Sequence, residues 1–317
     1  MNNKEVKILF MGTAEFGIPT LEILKDNFNL DAIITNYDKP SGRGLKIEFS
    51  PVKKFALRNN IKYLQPKNLK EQSLINKITS INPDIIVVVA FRMIPKSIWQ
   101  IPKYGTINLH ASLLPHYRGS APINWAIINN ENFSGVTTFF IDDKIDTGDI
   151  LLQEKIKVDK KINAGELHDK LKVIGARTVK KTIQEILNNS LIQKKQEHDG
   201  NYKTAYKLDK ENIKIDWNQN CLEIYNKIRG LSPFPGARAS LINDNGDVKR
   251  VVFYESEYVI EKHNFENGQI TDEKDFINIT CNDGFIKIKN LKMEGKKRMN
   301  TSSFLNGFDI ENYSMVK

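Results

Sequence analysis

Residues 83–90, PDIIVVVA, place five branched aliphatic side chains in a row, Ile85 to Val89, with no polar position among them. A strand with one wet face alternates apolar and polar residues, so an unbroken run predicts a strand buried on both faces. Strands of that kind belong to parallel sheets covered by helices on either side. The flanking sequence supplies the rest of such a sheet. Upstream, VKILFMG (6–12) predicts a first buried strand, followed by a helix from Ile18 to Phe28, the strand LDAIITN (30–36), a helix from Pro51 to Asn60, the strand IKYLQP (61–66) and a helix from Leu69 to Ser80. Downstream come TINLH (106–110), a helix near Pro122 to Asn130, the strands GVTTFFID (135–142) and DILLQEKIKV (149–158), and a long helix from Ala164 to about Asn189. In that helix Leu167, Leu171, Ile174, Val179, Ile183 and Ile186 recur near helical spacing. The rhythm predicts an α/β domain over residues 1–189 with a Rossmann-like, mostly parallel sheet.

Residues 190–207 carry no clear period and read as a linker. From 208 to 317 a helix, CLEIYNKIRGL (221–231), is closed by SPFPG (232–236) and followed only by short strand-like runs between Asn, Asp and Gly turns. That pattern predicts a small, OB-like β-barrel domain. There is no internal repeat and no low-complexity tract.

The 317 residues, 40% hydrophobic and 27% charged, suit an ordinary soluble protein with two cored domains. Cys221 and Cys281 are far apart in sequence and in no C-x-x-C pattern, which fits a reducing cytoplasm with neither a disulfide framework nor a zinc site. The apolar run near the N-terminus is too brief for a signal sequence, and no window approaches a membrane span. The net charge of +9 suggests an acidic partner, but its distribution is uneven. Residues 208–317 hold 16 Lys plus Arg against 17 Asp plus Glu, so the excess lies before residue 208. Within the tail, Lys287, Lys289, Lys292, Lys296, Lys297 and Arg298 form a local basic cluster.

Ligands of open α/β sheets sit at the carboxyl ends of strands. Gly12, Thr13, Ala90, Phe91 and the NLH segment fall at such ends. GTAEFG (12–17) follows the first strand but lacks G-x-G-x-x-G, and the chain has no G-x-x-x-x-G-K-[ST] loop, which argues against a dinucleotide or ATP enzyme. The stretch INLHASLLPHYRGSAPINWA (107–126) is polar where a buried strand should be apolar. Alternation on a strand points Asn108 and His110 to the same side. Asp146, in the turn of IDTGDI (145–150), adds a carboxylate. An amide donor, an imidazole and a carboxylate, with no Ser or Cys nucleophile beside the base, suit direct transfer of an acyl group between two bound substrates.

These residues resemble the folate-dependent formyltransferase family: NLHASLLPHYRGSAPI (108–123) with IDTGDI, and also MGTAEFGIPTL (11–21), DKPSGRGLKIEFSPVK (38–53), IDWNQN (215–220), IYNKIRGLSPFPGARA (224–239) and MEGKKRM (293–299). The resemblance covers essentially the whole chain. It implies a formyltransferase domain followed by the barrel, and transfer of formyl from 10-formyltetrahydrofolate to the α-amine of methionyl-initiator-tRNA for translation initiation. It assigns Asn108, His110 and Asp146 to catalysis, and it lines the folate site with Phe91, Arg92, Met93 and Ile94 together with Ser112, Leu113, Leu114 and Pro115. The loop carrying Gly42, Arg43 and Gly44 is expected to enter the acceptor end of the tRNA, with no metal required. Departures from the family pattern occur at His116, often Arg or Lys, and at Phe91–Arg92, often Tyr-Gly; neither falls on Asn108, His110 or Asp146.

The chemistry fits those residue types. A free α-amine titrates near about 7.7 to 8.0, so no strong base is needed. The demanding species is the tetrahedral intermediate, whose oxygen Asn108 and a protonated His110 can stabilise, while Asp146 is expected to hold His110 or an ordered water. Lys296, Lys297 and Arg298 are expected to touch tRNA phosphates. The expected partner is therefore initiator methionyl-tRNA and not a membrane, for a cytoplasmic monomer. Two alternatives remain open: a formyltransferase for a small amine such as a nucleotide sugar or glycinamide ribonucleotide, and a non-catalytic RNA-binding protein.

Overall fold

The computed structural model describes residues 3–41, 46–197, 200–243, 245–273, 276–310 and 313–316. Gly42, Arg43 and Gly44 lie outside the described residues. The chain divides into two units: 1–119 with 133–156 and 168–204, and 120–132 with 157–167 and 205–317. The division is not the linear one that composition suggests, because two segments from the first half of the chain pack with the second unit.

The first unit is built on a seven-stranded sheet. Its strands are β1 (Lys7–Gly12), β2 (Asn29–Ile34), β3 (Tyr63–Leu64), β4 (Ile85–Val89), β5 (Thr106–His110), β6 (Phe133–Phe140) and β7 (Ile150–Lys157). They lie in the order β7-β6-β5-β4-β1-β2-β3. The pairs β1–β2, β1–β4, β2–β3 and β4–β5 are parallel, and β5–β6 is antiparallel. All five residues of β4 are buried, as the unbroken apolar run requires.

Helices α1 (Ile18–Asn27), α2 (Pro51–Arg58) and α3 (Gln72–Ile81) follow β1, β2 and β3, and the one-turn α4 (Lys96–Trp99) follows β4. The Ser50 hydroxyl accepts from the Lys53 N–H at 3.1 Å, and Pro51 fills the first helical position of α2, where a missing N–H costs nothing. Helix α3 starts three residues later than its periodicity suggests and ends at Asn82, whose φ of 51° is the left-handed cap that Asn tolerates. Leu74, Ile78 and Ile81 of α3 pack with Ile86 and Val88 of β4 and Leu9 and Met11 of β1.

Strand order reverses between β1 and β4. Crossovers leave in opposite directions there, which opens a crevice at the carboxyl ends of the two strands. Gly12 ends β1 so close to its neighbour that a Cβ would lie 2.6 Å from the Val89 carbonyl oxygen, so this glycine serves strand packing. On the other side, Gly175 of helix α6 (Ala164–Leu187) lets that helix approach β5: a Cβ there would lie 2.8 Å from the Leu109 side chain. With Leu109 turned toward α6, alternation turns Asn108 and His110 the other way.

In the second unit, helix α7 (Cys221–Gly230) packs beside α5 (Pro122–Ile128). A Cβ on Gly230 would lie 2.6 Å from the Ile128 side chain, and Asn124 Nδ2 donates to the Gly230 carbonyl at 2.8 Å. Arg229 is buried; its Nη1 donates to the Ile162 carbonyl at 2.8 Å and its Nε to Asn226 Oδ1 at 2.9 Å. Burial pulls its pKa down from the ordinary arginine value.

The barrel strands are β8 (Ala237–Asn243), β9 (Val248–Ile260), β10 (Ile270–Glu273), β11 (Phe276–Cys281), β12 (Gly284–Met293), β13 (Met299–Asn300) and β14 (Tyr313–Val316), in the order β10-β11-β12-β9-β8-β14 with β13 on β12. A bridge between Gln269 and Met315 joins the two ends of this path, so the sheet closes. The barrel also brings together two residues distant in sequence: β11 and the start of α7 set the Sγ atoms of Cys281 and Cys221 3.0 Å apart, next to the Asp283 carboxylate. Both are free, buried thiols, and burial raises the pKa of each.

Candidate active site

Register decides what Asn108 faces. It pairs with Val88 on β4, and paired residues of neighbouring strands share a sheet face. Val88 belongs to the cluster against which Phe91 packs and in which Ile94 is buried. Asn108 thus opens toward the 91–94 segment, at the crevice. It is half-buried, and no hydrogen bond ties down its amide among the described residues.

His110, the last residue of β5, is buried. Its Nε2 lies 2.7 Å from the Tyr117 carbonyl oxygen, which can only accept, so Nε2 carries the hydrogen. Nδ1 is then the nitrogen left for chemistry. It lies 3.7 Å from Asp146 Oδ2, within ion-pair range but beyond a hydrogen bond. The same Asp146 oxygen has a backbone anchor: the Gly119 N–H donates to Oδ2 at 2.9 Å. Asp146 itself has φ 55°, the left-handed region, which costs a non-glycine residue of order 1–3 kcal/mol and persists only where the surroundings enforce it. Arg118 Nε and Gln196 Nε2 both donate to the Asp146 carbonyl at 3.0 Å.

The Ser112–Pro115 turn is fixed by Thr137 on β6. The Thr137 hydroxyl donates to the Ser112 carbonyl at 2.7 Å and accepts from the Leu114 N–H at 3.1 Å, and Gln153 Nε2 caps the Leu114 carbonyl at 2.8 Å. Ser112 spends its own hydroxyl on the His116 carbonyl at 2.7 Å, and Leu114 is buried with Phe139 and Ile150. Leu113 and Pro115 remain half-buried. Of the four, these two present surface, while Ser112 and Leu114 shape the turn.

Across the crevice, Arg92 spreads its guanidinium over two successive carbonyls, Pro66 at 2.5 Å and Lys67 at 2.8 Å. Its side chain is committed to the fold, so Arg92 itself offers mainly backbone. Ile94 is buried and Met93 is 69% exposed. Lys53 is buried and pairs with Asp38, and Gln65 donates to the other Asp38 oxygen at 2.9 Å. The Lys53 ammonium holds the Asp38 carboxyl below the usual carboxylate range. Pro40–Ser41 and Lys46–Ile47 pair as a short antiparallel ladder.

Lys296, Lys297 and Arg298 are exposed at the turn between β12 and β13. Arg298 donates to Asn290 Oδ1 at 2.5 Å and lies 4.3 Å from the centre of the Tyr254 ring. The guanidinium thus sits within cation–π range of a half-buried ring. Sequence periodicity gives no sign of Gln196 or of the Thr137 bonds. Their signal is a buried polar side chain, which requires partners that only the fold reveals.

Among the described residues, no helix is long and apolar enough to cross a membrane. Residues 6–183 match the formyl transferase family and residues 207–309 match the formyl transferase C-terminal domain. The chain is 48% identical over 314 residues to the methionyl-tRNA formyltransferase of Flavobacterium johnsoniae, covering 99% of both chains. It is 44% identical over 309 residues to that of Clostridium tetani, covering 96% of this chain and 98% of the other. Among solved structures it resembles the sugar 3N-formyl transferase WlaRD, crystallised in the presence of dTDP and 5-N-formyl-THF, with a TM-score of 0.64 and 27% identity over 92% of this chain and 99% of that one. Matched over both its α/β and its barrel portions, and nearly half identical to a relative along its length, the chain belongs to the formyl transferase family.

Proposed function

We propose that this chain transfers the formyl group of 10-formyltetrahydrofolate to the α-amine of methionyl-initiator-tRNA. The observation that carries the proposal is the arrangement at the end of β5: an uncommitted Asn108 amide and a His110 ring with one nitrogen fixed and the other free beside Asp146. The amine nitrogen attacks the formyl carbon, and the carbonyl π pair moves onto oxygen. Asn108 Nδ2 donates to that oxygen, a contact of the kind worth roughly 10²- to 10³-fold in rate. His110 Nδ1 receives the proton that the attacking nitrogen must lose and, once charged, sits beside the Asp146 carboxylate. Collapse breaks the bond between the formyl carbon and folate N10, and the proton passes to that nitrogen. Leu113, Pro115 and the 91–94 backbone are proposed to hold the flat folate ring. Full-length relatives named as methionyl-tRNA formyltransferases support the choice of acceptor. Two buried free thiols suit a reducing compartment, the cytoplasm.

Offering 10-formyltetrahydrofolate with methionyl-initiator-tRNA, other aminoacyl-tRNAs, an amino-sugar nucleotide and glycinamide ribonucleotide tests the acceptor. Formylation of the initiator tRNA alone is expected. Preference for a sugar or ribonucleotide amine would displace the proposal in favour of the small-amine reading.

Two further expectations concern the RNA. Arg43→Ala is expected to weaken use of the full tRNA far more than transfer to a minimal aminoacyl ester, because its guanidinium is proposed to position RNA and not the formyl group. Equal losses with both acceptors would place Arg43 in the chemistry instead. Replacing Lys296, Lys297 and Arg298 with Ala is expected to lower tRNA affinity and to flatten its salt dependence, by about 0.7 to 0.9 in log–log slope per lost phosphate contact. Superimposable slopes for wild type and triple variant would remove this turn from the RNA path.

A further inference from the structure

Gln196 lies in the 190–207 segment, which has no pattern of its own, yet its side chain is only 6% exposed. Both ends of its amide are used. Oε1 accepts from Arg118 Nε at 3.1 Å and Nη2 at 2.6 Å, and Nε2 donates to the carbonyls of Asp146 at 3.0 Å and Gly148 at 2.8 Å. The residue therefore ties Arg118, in the segment that follows His110, to both sides of the turn that carries Asp146. Arg118 is itself bonded to the Asp146 carbonyl, so the three form a closed ring of hydrogen bonds.

The backbone of Asp146 is what this ring acts on. At φ 55° it departs from the conformation an aspartate prefers, and that departure aims Oδ2 at the Gly119 N–H and sets it 3.7 Å from His110 Nδ1. A carbonyl gripped by two donors cannot rotate away, and the Gly148 carbonyl, two residues on, is held by the same Nε2. From this geometry we infer that Gln196 is a positioning residue: it locks the Asp146 turn in the left-handed conformation that keeps the carboxylate beside His110. The inference rests on the proposed roles of Asp146 and His110.

A glutamate at this position separates the two halves of the interaction. Gln196→Glu keeps the size of the side chain and strengthens the contact to Arg118, but it loses both donors and sets a carboxylate against two carbonyls. Gln196→Ala loses everything. Both variants are expected to lower kcat about ten- to a hundredfold, as a displacement near 1 Å of a reacting group does, with KM for folate and for tRNA little changed. In an Asp146→Asn background, Gln196→Ala is expected to cost almost nothing more, because residues acting as one unit are not additive. Wild-type kcat in Gln196→Glu would overturn the inference and reduce Gln196 to an anchor for Arg118. A full additional loss in the Asp146→Asn background would overturn it as well. Should Gln196→Ala fold poorly by thermal unfolding, the isosteric Gln196→Glu still decides. Failure of the underlying reading shows differently: His110→Ala would then turn over like the wild type.

Discussion

His110→Ala lowers turnover by at least about 10²-fold while tRNA affinity stays near its wild-type value; that is the expected result, because positioned proton transfer typically contributes 10²- to 10⁴-fold. The expectation follows from the division of labour between the ring nitrogens. Nε2 is spent on the Tyr117 carbonyl, so the ring cannot turn to offer a different atom, and Nδ1 is the nitrogen left beside Asp146. Alanine removes both the anchor and the proton acceptor. Asn108→Ala and Asp146→Ala are expected to fall in the same range, the first through loss of an oxyanion donor. Single-turnover formylation with tRNA titrated separately distinguishes lost chemistry from lost binding. A His110→Ala enzyme that kept near wild-type single-turnover rates would end the mechanism given above.

Gly148→Ala is expected to be nearly as damaging, although it touches no reacting atom. A Cβ there would lie 1.7 Å from the Phe140 carbonyl oxygen and 2.9 Å from its carbon, a clash with backbone that no rotamer change relieves. The chain must move by more than 1 Å within two residues of Asp146, and displacements of that size cost about 10²-fold in rate. Overpacking of this kind also costs about 1–3 kcal/mol of stability. Gly307→Ala, where a Cβ meets nothing within 4 Å, is the matched control and should leave both quantities unchanged. A Gly148→Ala protein that melts lower but turns over normally would show that the Asp146 turn tolerates displacement.

The parts of the fold that were legible in sequence are those that local chemistry dictates. Ile85 to Val89 could only be a doubly buried strand, and Asn108 and His110 had to share a side because side chains alternate along β5. Asp146 stood out because a Thr-Gly-Asp turn is polar and short. What was not legible depends on groups distant in sequence. Gln196 looks like any polar linker residue until the Asp146 and Gly148 carbonyls are brought to it from about 50 positions upstream. Ser112 and Leu114 read as pocket walls, but the His116 carbonyl and the Phe139–Ile150 core claim them. The cysteine pair is legible only after the barrel closes.

The non-linear division of the chain bears on how such a protein can be taken apart. A gene fragment beginning at residue 208 would encode every barrel strand, yet it would omit 120–132 and 157–167. Arg229 would keep its buried charge but lose the Ile162 carbonyl, and the face of α7 at Gly230 would lose Ile128 and Asn124. An apolar helix face and a guanidinium stripped of its backbone acceptor, with Asn226 still bound, would be turned to water together. Exchange of the C-terminal half between relatives by a single crossover in the linker therefore carries a hidden requirement: α5 and the 157–167 segment must match the incoming α7. The two halves of the gene are free to recombine only as far as those two inserted segments co-vary with them.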